Sequence, residues 1–266
     1  MDKNIKLIAT DIDGTLLKKD YTCPTGLMEC LENLEQKGVK VCLVTGRMHQ
    51  AAIKIHQLLN LKNPLVSYQG GQINSADGKI LYQKVLDKNC IKKAVKWARE
   101  KNIHLQLYFN DTLYAENDNE YIQRYSREQN VPYKIVNFDE LNPEYSSKLL
   151  AVDFNNPETV STWVNELQEL FPDCFIVKST PYFCEISHIE ANKCDAVKFL
   201  QKYYNLADDE VLTIGDQNND IALLQAGGVR VAMGNATDEL KAVSTYITDT
   251  VDNGGWIKAI EKFVKF

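Results

Sequence analysis

Short apolar runs alternate with helix-like spacing of apolar residues through the first third of the chain. The run Ile5–Asp11 is largely apolar until its final acid, which predicts a buried strand. Leucines recur at helical spacing within Pro24–Lys37, which predicts a helix that ends before a glycine. The same reasoning predicts a strand at Val39–Thr45, a helix at Met48–Leu59 and a strand at Leu65–Tyr68. This β-α-β-α-β order is typical of a parallel sheet with right-handed crossovers.

The same alternation returns near the C-terminus. A predicted helix at Lys193–Tyr204 precedes a predicted strand at Val211–Ile214. The further elements are a helix at Asp220–Ala226, a strand at Val229–Met233, a helix at Asp238–Val243, a strand at Tyr246–Thr248 and an amphipathic helix at Trp256–Val264. Both ends of the chain are therefore predicted to build one α/β domain.

The middle of the chain has a different pattern. His104–Phe109 and Thr112–Ala115 predict a hairpin around Asn110-Asp111. Further elements are strands at Lys148–Phe154, Phe175–Lys178 and Phe183–Ser187, and helices at Asn89–Glu100, Glu120–Glu128 and Pro157–Leu170. We predict an α/β fold whose parallel-sheet core comprises residues 1–82 and 189–266. An α+β domain with an antiparallel sheet, residues 83–188, is inserted into it.

Composition and charge narrow the function classes. The length of 266 residues suggests two domains, and 44% hydrophobic with 25% charged residues is typical of globular proteins. No apolar run could span a bilayer and the N-terminus lacks signal-peptide architecture, so we expect a cytoplasmic protein without a membrane partner. A net charge of −6 without a dense Lys/Arg stripe argues against nucleic acid as a partner but allows small anionic substrates. The seven scattered cysteines, without a C-x-x-C pair, are expected to be reduced thiols.

The first predicted strand ends in the letters DIDGT, at positions 11–15. Ligands of open parallel sheets bind beyond the carboxyl ends of the strands, so Asp11 and Asp13 stand where a site is expected. Carboxylates two residues apart on an extended strand lie on the same side and repel each other when both are ionised. A purely structural role is therefore costly, although a turn rich in Asp and Gly remains the alternative.

Two further segments carry groups that suit a phosphate. The second predicted strand ends in Thr45-Gly46-Arg47, and a hydroxyl with backbone N–H groups at a helix N-terminus suits a phosphate oxygen. The alternative is that Thr45 only caps the helix. Lys193 lies in the first turn of a predicted helix, where the helix dipole disfavours a cation. A nearby anion would explain that position, and simple exposure to solvent is the alternative.

A second acidic segment follows a predicted strand near the C-terminus. Asp216 stands at the end of this strand, and Asn219 and Asp220 begin the next helix, where a cluster of helix caps is the alternative. Asp216 is expected to face Asp11 and Asp13 across the end of the sheet. Three convergent carboxylates require a hard cation with oxygen ligands and favour magnesium.

These four segments, in this order, resemble the haloacid dehalogenase-like phosphatases. The segment Ala232–Ala236 after the Asp216 cluster is similar to the Cof-type subfamily, and the long insert between Thr45 and Lys193 resembles that subfamily's cap. The resemblance implies a Rossmann-like core with an inserted α+β cap and Mg²⁺ as cofactor. It implies hydrolysis of a small phosphorylated metabolite through an aspartyl-phosphate, with a sugar phosphate first among the candidates.

The resemblance also implies roles for single residues. Asp11 is the nucleophile and Asp13 the general acid and base. Magnesium is held by Asp11, Asp216 and the backbone carbonyl of Asp13. The substrate-binding residues are Thr45, Gly46, Arg47, Lys193 and Asn219, of which Thr45, Lys193 and Asn219 contact the phosphoryl group. Asp220 orients Lys193.

The chain departs from the family pattern at two positions, and other functions stay open. Gln69 lies where many relatives have Asn-Gly-Ala, and Cys194 lies where relatives often carry glycine. The presence of Asp13 argues against a dehalogenase, which lacks this second aspartate, and against a transport ATPase. A phosphomutase of similar build, or a non-enzymatic phosphoacceptor or binding protein, remains an alternative. A phosphoacceptor leaves the Asp216 segment and the large insert unexplained.

Overall fold

The computed structural model describes residues 4–18 and 22–265, so the outermost ends of the predicted core lie outside the described residues. The strands are β1 (Leu7–Thr10), β2 (Lys40–Leu43), β3 (Leu65–Ser67), β4 (Gln72–Asn74), β5 (Ile80–Gln83), β6 (Leu86–Asp87), β7 (His104–Phe109), β8 (Thr112–Ala115), β9 (Tyr133–Ile135), β10 (Tyr145–Ser146), β11 (Leu149–Val152), β12 (Cys174–Thr180), β13 (Phe183–His188), β14 (Val211–Gly215), β15 (Val229–Ala232) and β16 (Tyr246–Ile247). The helices are α1 (Leu27–Gln36), α2 (His49–Leu58), α3 (Lys88–Glu100), α4 (Glu120–Gln129), α5 (Phe138–Leu141), α6 (Pro157–Leu170), α7 (Lys193–Tyr204), α8 (Ile221–Gln225), α9 (Asp238–Val243) and α10 (Gly255–Phe263).

A parallel sheet of order β16-β15-β14-β1-β2 joins the two ends of the chain. The interior strand β1, between β14 and β2, is buried along its whole length, as its apolar sequence requires. The apolar faces of α1, α7 and α10 belong to the same buried cluster as the sheet residues. The predicted α/β class with a parallel-sheet core is confirmed.

Most predicted elements coincide with observed ones to within a few residues. Helices α6, α7 and α9 begin and end where the sequence predicts them. The helix predicted from Asp220 is shorter, because a 3-10 turn at Asn218–Asp220 precedes α8. Side-chain capping explains several starting points: the Asn192 side chain accepts a hydrogen bond from the backbone N–H of Asp195 at the start of α7.

The strand predicted at Leu65–Tyr68 is only marginally part of the parallel sheet. The observed β3 pairs antiparallel with β4, and β4 with β5, while a single parallel bridge joins Val66 to Val44. The prediction of a third parallel strand is therefore confirmed only at this one bridge, and the antiparallel strands β4 and β5 were missed. The polar side chains of β4 are buried because Gln72 bonds to Asn74, which bonds in turn to the carbonyl of Gly78. Because these buried side chains are polar and bond to one another, the segment has no apolar run from which a strand could be predicted.

The inserted segment builds a second sheet, of order β12-β13-β11-β7-β8-β9. The predicted hairpin around Asn110-Asp111 and the strands β11 to β13 are present and pair antiparallel. The sheet is not wholly antiparallel as predicted, because the missed edge strand β9 pairs parallel with β8. Strands β6 and β10 form a separate short antiparallel pair, which was also missed.

The parallel-sheet part and the insert each have their own buried apolar cluster among the described residues. One cluster draws on positions 5–73 and 196–264, and the other on positions 86–186. A further cluster connects the two parts, since Met48 and Tyr68 pack with Tyr108 and Tyr125 of the insert. The boundaries at 83 and 188 stay a prediction.

The tip of the inserted hairpin is bonded to the parallel-sheet part. Asp111 Oδ1 accepts a hydrogen bond from the Tyr68 hydroxyl at 2.6 Å and one from the backbone N–H of Gln50 at 3.2 Å. The Lys54 ammonium donates to the Asn130 carbonyl at 2.6 Å. These bonds fix the insert against α2, whose first turn contains Gln50.

Neither membrane-spanning helices nor disulfide bridges occur in the part of the chain that the structure describes. Every described helix falls short of the length and apolar character that crossing a bilayer needs. All the cysteines, including the nearby pair Cys90 and Cys174, are free thiols.

Candidate active site

Three aspartates meet at the carboxyl end of the parallel sheet. Asp11 directly follows β1 and Asp216 directly follows β14, and these two strands are paired in parallel. Asp220 ends the 3-10 turn that follows. One carboxylate oxygen from each of the three lies within 4.8 Å of the others, and all three residues are buried. Parallel pairing thus brings together two segments that are about 200 residues apart in sequence.

Lys193 reaches into this cluster from the first turn of α7. Its Nζ donates to Asp11 Oδ1 and to Asp220 Oδ1, each at 2.7 Å, and its side chain is 1% exposed. Burial alone would lower the pKa of the ammonium, but the two carboxylates outweigh that effect and hold the pKa above its ordinary value. The alternative that Lys193 is simply exposed to solvent is wrong.

The carboxylates outnumber the cation that neutralises them. Burial raises the pKa of Asp11 well above its usual range, against the opposing effect of Lys193. Burial and the nearby Asp220 raise the pKa of Asp216 to about 7. A divalent cation would favour the ionised form of both groups, and an all-oxygen donor set of this kind suits magnesium. The residues present therefore fit the metal that the sequence predicts.

Asp220 has both carboxylate oxygens engaged within the protein. Its Oδ1 accepts from Lys193, while its Oδ2 accepts from the backbone N–H groups of Asp216 at 3.0 Å and Gln217 at 3.1 Å. A carboxylate used in this way fixes the position of its neighbours. The geometry holds Lys193 and the Asp216 loop in one rigid unit.

The side chain of Asp13 lies outside the cluster. Its carboxylate is 45% exposed and binds Arg47 through both oxygens, at 2.7 Å from Nε and 2.5 Å from Nη2. Gly14, directly after Asp13, adopts φ +80° and allows the chain to turn close to Asp216, because an added Cβ would lie 2.5 Å from Asp216 Oδ2. Asp13 therefore faces the mouth of the site while Asp11 faces its floor.

The segment Thr45-Gly46-Arg47 follows β2, which pairs in parallel with β1, and it is not a helix cap. Thr45 is 1% exposed, and its hydroxyl accepts from the backbone N–H of Arg47 at 3.2 Å. Helix α2 begins only after Met48, so the interpretations of Thr45 as its cap and of this segment as its N-terminus are both wrong. Gly46 has no room for a side chain, since an added Cβ would lie 2.4 Å from the Gln69 amide nitrogen.

Several residues of the site were missed or only noted as departures. The Asn219 amide donates to Gln69 Oε1 at 3.3 Å, and Gln69 donates to Glu185 of the insert at 3.1 Å. Glu185 forms a buried ion pair with Lys148 at 2.7 Å. The signal in the sequence was that Lys148 and Glu185 both lie in predicted strands. A charged residue in such a position is rarely buried unless it is paired.

Comparison with known proteins agrees with this geometry. Residues 8–260 match the family model of haloacid dehalogenase-like hydrolases. A putative phosphatase of Streptococcus pyogenes is 28% identical over 98% of this chain and 99% of its own length. The 5-amino-6-(5-phospho-D-ribitylamino)uracil phosphatase YitU of Bacillus subtilis is 24% identical over 99% of both chains. A haloacid dehalogenase-like hydrolase from Bacteroides thetaiotaomicron has the same fold, with a TM-score of 0.87 and 26% identity over 97% of this chain and 99% of that one.

The chain belongs to the haloacid dehalogenase-like hydrolase family and is one of its Cof-type members. Relatives that it matches are named as phosphatases, and it is itself a phosphoric monoester hydrolase. The resemblance drawn from the sequence is thereby confirmed at the level of family and reaction class.

Proposed function

We propose that the protein is a magnesium-dependent phosphatase that forms an aspartyl-phosphate on Asp11 and hydrolyses a phosphorylated sugar or polyol. The observation that carries the proposal is the buried contact of Lys193 with Asp11 and Asp220 beside Asp216. A nucleophilic carboxylate, a fixed cation and a metal-binding acid are the groups that phosphoryl transfer requires.

In the first step a carboxylate oxygen of Asp11 attacks phosphorus, and the bond from phosphorus to the ester oxygen breaks. Asp13 donates a proton to the departing oxygen, so that a neutral alcohol leaves. In the second step Asp13 takes a proton from water, and the resulting hydroxide attacks phosphorus. The bond from phosphorus to Asp11 then breaks, which releases inorganic phosphate and restores the Asp11 carboxylate and the protonated form of Asp13.

Three groups would stabilise the transferring phosphoryl group. The Lys193 ammonium and the Thr45 hydroxyl bind its oxygens, and the Asn219 amide lies within reach of the same space. Gly46 lets the Gln69 amide pack against the backbone of this loop, because it carries no side chain. Arg47 holds Asp13 at the mouth of the site, where a departing oxygen would emerge.

Mg²⁺ would be held by the carboxylates of Asp11 and Asp216 and by the main-chain carbonyl of Asp13. When bound, it would supply positive charge that reduces the repulsion between two anions. Asp220 is assigned a positioning role instead, because Lys193 and two backbone N–H groups already occupy its oxygens.

The inserted segment, residues 83–188, is proposed to act as a cap that shields the site from water and contacts the rest of the substrate. Its contacts with Gly46 and Gln69 support this role. The relative YitU is named for a substrate that carries a phosphoribityl group, which supports a polyol or sugar phosphate as the substrate class.

Phosphate release from a panel of phosphorylated metabolites tests the proposal. The wild-type protein with Mg²⁺ should release phosphate from sugar or polyol phosphates, whereas Asp11→Asn should be inactive. Asp173→Asn, at an exposed position of the insert, is the matched control and should keep full activity. A sugar phosphate converted to its isomer without phosphate release would identify a mutase instead.

A further inference from the structure

The inserted sheet turns one of its faces toward the active site. Successive residues of a strand point to opposite faces. In β13, Cys184 and Ile186 belong to the insert's own buried cluster, so Glu185 and Ser187 point the other way. Glu185 contacts Gln69 of the parallel-sheet part, which identifies this opposite face as the one above the site.

Lys148 and Glu185 form an ion pair on that face, at 2.7 Å, with each residue no more than 3% exposed. Burial alone would lower the pKa of Lys148, but Glu185 outweighs it and holds the pKa above its ordinary value. The Lys148 ammonium also donates to the Gly46 carbonyl at 2.9 Å. The pair therefore rests directly on the loop proposed to receive the phosphoryl group.

Gln69 connects this ion pair to the other side of the proposed phosphate site. Its Nε2 donates to Glu185 Oε1 at 3.1 Å, and its Oε1 accepts from Asn219 at 3.3 Å. Gln69 and its neighbour Tyr68 have positive φ angles of 57° and 54°, which are unfavourable for residues with side chains. Such strained backbone persists where the surroundings hold it, and it is concentrated at binding sites.

Ser187 supplies an independent sign that a ligand belongs here. Strand β11 pairs with β13 through Leu149 and Ile186, so Lys148 and Ser187 follow as the next opposed positions. Ser187 is fully buried, and its hydroxyl has no hydrogen-bond partner among residues 4–18 and 22–265. A buried hydroxyl without a partner is destabilising, whereas a bound ligand could satisfy it.

We propose that Gln69, Lys148, Glu185 and Ser187, here called the cap subsite, recognise the hydroxyl groups of a neutral sugar or polyol attached to the phosphate. A hydroxyl both donates and accepts, so it can satisfy Glu185, Lys148 and Ser187 alike. On binding, the hydroxyls replace the bonds that Glu185 receives from Gln69 and that Lys148 gives to Gly46. This inference rests on the proposed function and extends it to the determinants of the substrate.

Charge and desolvation decide between substrate classes at the cap subsite. The ion pair of Lys148 and Glu185 is neutral as a whole, so it offers no net positive charge to offset the desolvation of a second phosphate or carboxylate on the substrate. An aromatic ring would leave the buried polar groups unpaired, and sites built from such groups reject ligands that cannot bond to them. A neutral chain or ring of hydroxyls avoids both penalties.

Selectivity measurements test this proposal. The probes are glucose 6-phosphate, sorbitol 6-phosphate, fructose 1,6-bisphosphate, pyridoxal 5′-phosphate and acetyl phosphate, which is too short to reach beyond the phosphoryl site. The quantity measured is kcat/KM for each probe divided by kcat/KM for acetyl phosphate. Ser187→Ala and Glu185→Gln should lower this ratio tenfold or more for the sugar and polyol phosphates. Ser161→Ala, at an exposed position of α6, should keep the wild-type ratio.

The possible outcomes distinguish failure of the cap subsite from failure of the proposed function. The cap subsite alone is overturned if the variants lose kcat/KM equally on acetyl phosphate and on the sugar phosphates. It is also overturned if the wild-type protein prefers fructose 1,6-bisphosphate or pyridoxal 5′-phosphate to the sugar and polyol phosphates. Absence of hydrolysis of every probe, acetyl phosphate included, overturns the proposed function. In that case calorimetric titration with sorbitol 6-phosphate still decides the subsite. Tight binding that Ser187→Ala weakens supports it, and equal binding by both proteins overturns it.

Discussion

Arg47 binds both carboxylate oxygens of Asp13, at 2.7 Å through Nε and 2.5 Å through Nη2. The guanidinium is nearly buried, whereas the carboxylate is about half exposed. The planar fork of an arginine matches a carboxylate in a way that the single ammonium of a lysine does not. The ion pair therefore sets the direction in which the proposed general acid points.

Loss of this acid should depend on the leaving group. We expect Asp13→Asn to lower kcat/KM for a sugar phosphate by about 10²–10⁴-fold, the usual contribution of a general acid. Arg47→Lys should produce a smaller loss in the same direction. Acetyl phosphate should be affected less by both variants, because its leaving group departs without a proton. Equal losses on the two substrates would contradict the role of Asp13 as the acid.

Removal of the buried cation should impair both reaction and fold. Lys193→Met is expected to lower kcat by about 10²–10³-fold, as for other groups that stabilise transition-state charge. It should also destabilise the protein by about 3–5 kcal/mol, because Asp11 and Asp220 lose their common partner. Urea unfolding and steady-state kinetics check both effects, with Lys198→Met on the exposed side of α7 as the control. An active and equally stable Lys193→Met protein would refute the assignment.

Gly14 offers a test of the link between the two aspartate segments. Gly14→Ala should weaken Mg²⁺ binding and activity by about tenfold or more, since the new methyl group would press on Asp216. Gly78→Ala is the matched control, because Gly78 also has a positive φ but no atom within 4 Å of an added Cβ. If both variants needed the same Mg²⁺ concentration for half-maximal activity, the predicted link between Gly14 and metal binding at Asp216 would be contradicted.

Magnesium should stabilise the folded protein independently of turnover. A ligand bound only to the folded state adds about 2.7 kcal/mol at a concentration one hundred times its Kd. We expect Mg²⁺ to raise the melting temperature of the wild-type protein and chelation to reverse the change. Asp216→Asn should lose this response, while Asp173→Asn should keep it. An unchanged melting temperature across a full Mg²⁺ titration would contradict the metal site.

The sequence was most informative where one local pattern determines the outcome. Asp11 and Asp216 both follow apolar strands, and parallel pairing brings such strand ends together. The cap subsite was not predictable in this way. The bond between Lys148 and Glu185 depends on the register of two separate strands. A slip of one residue in that register would move the side chains of one strand to the opposite face of the sheet. The antiparallel pairing of β3 with β4 was missed because a short apolar run carries no information about the direction of its neighbour.

The site of phosphorylation during turnover tests the central claim most directly. The wild-type protein is mixed with Mg²⁺ and acetyl phosphate, quenched in acid and reduced with borohydride, which converts an aspartyl-phosphate to homoserine. Mass spectrometry of the peptides then locates the modified residue. The account predicts homoserine in place of Asp11 alone, and none in the Asp11→Asn variant. Homoserine in place of another aspartate, or full turnover by Asp11→Asn, would contradict it.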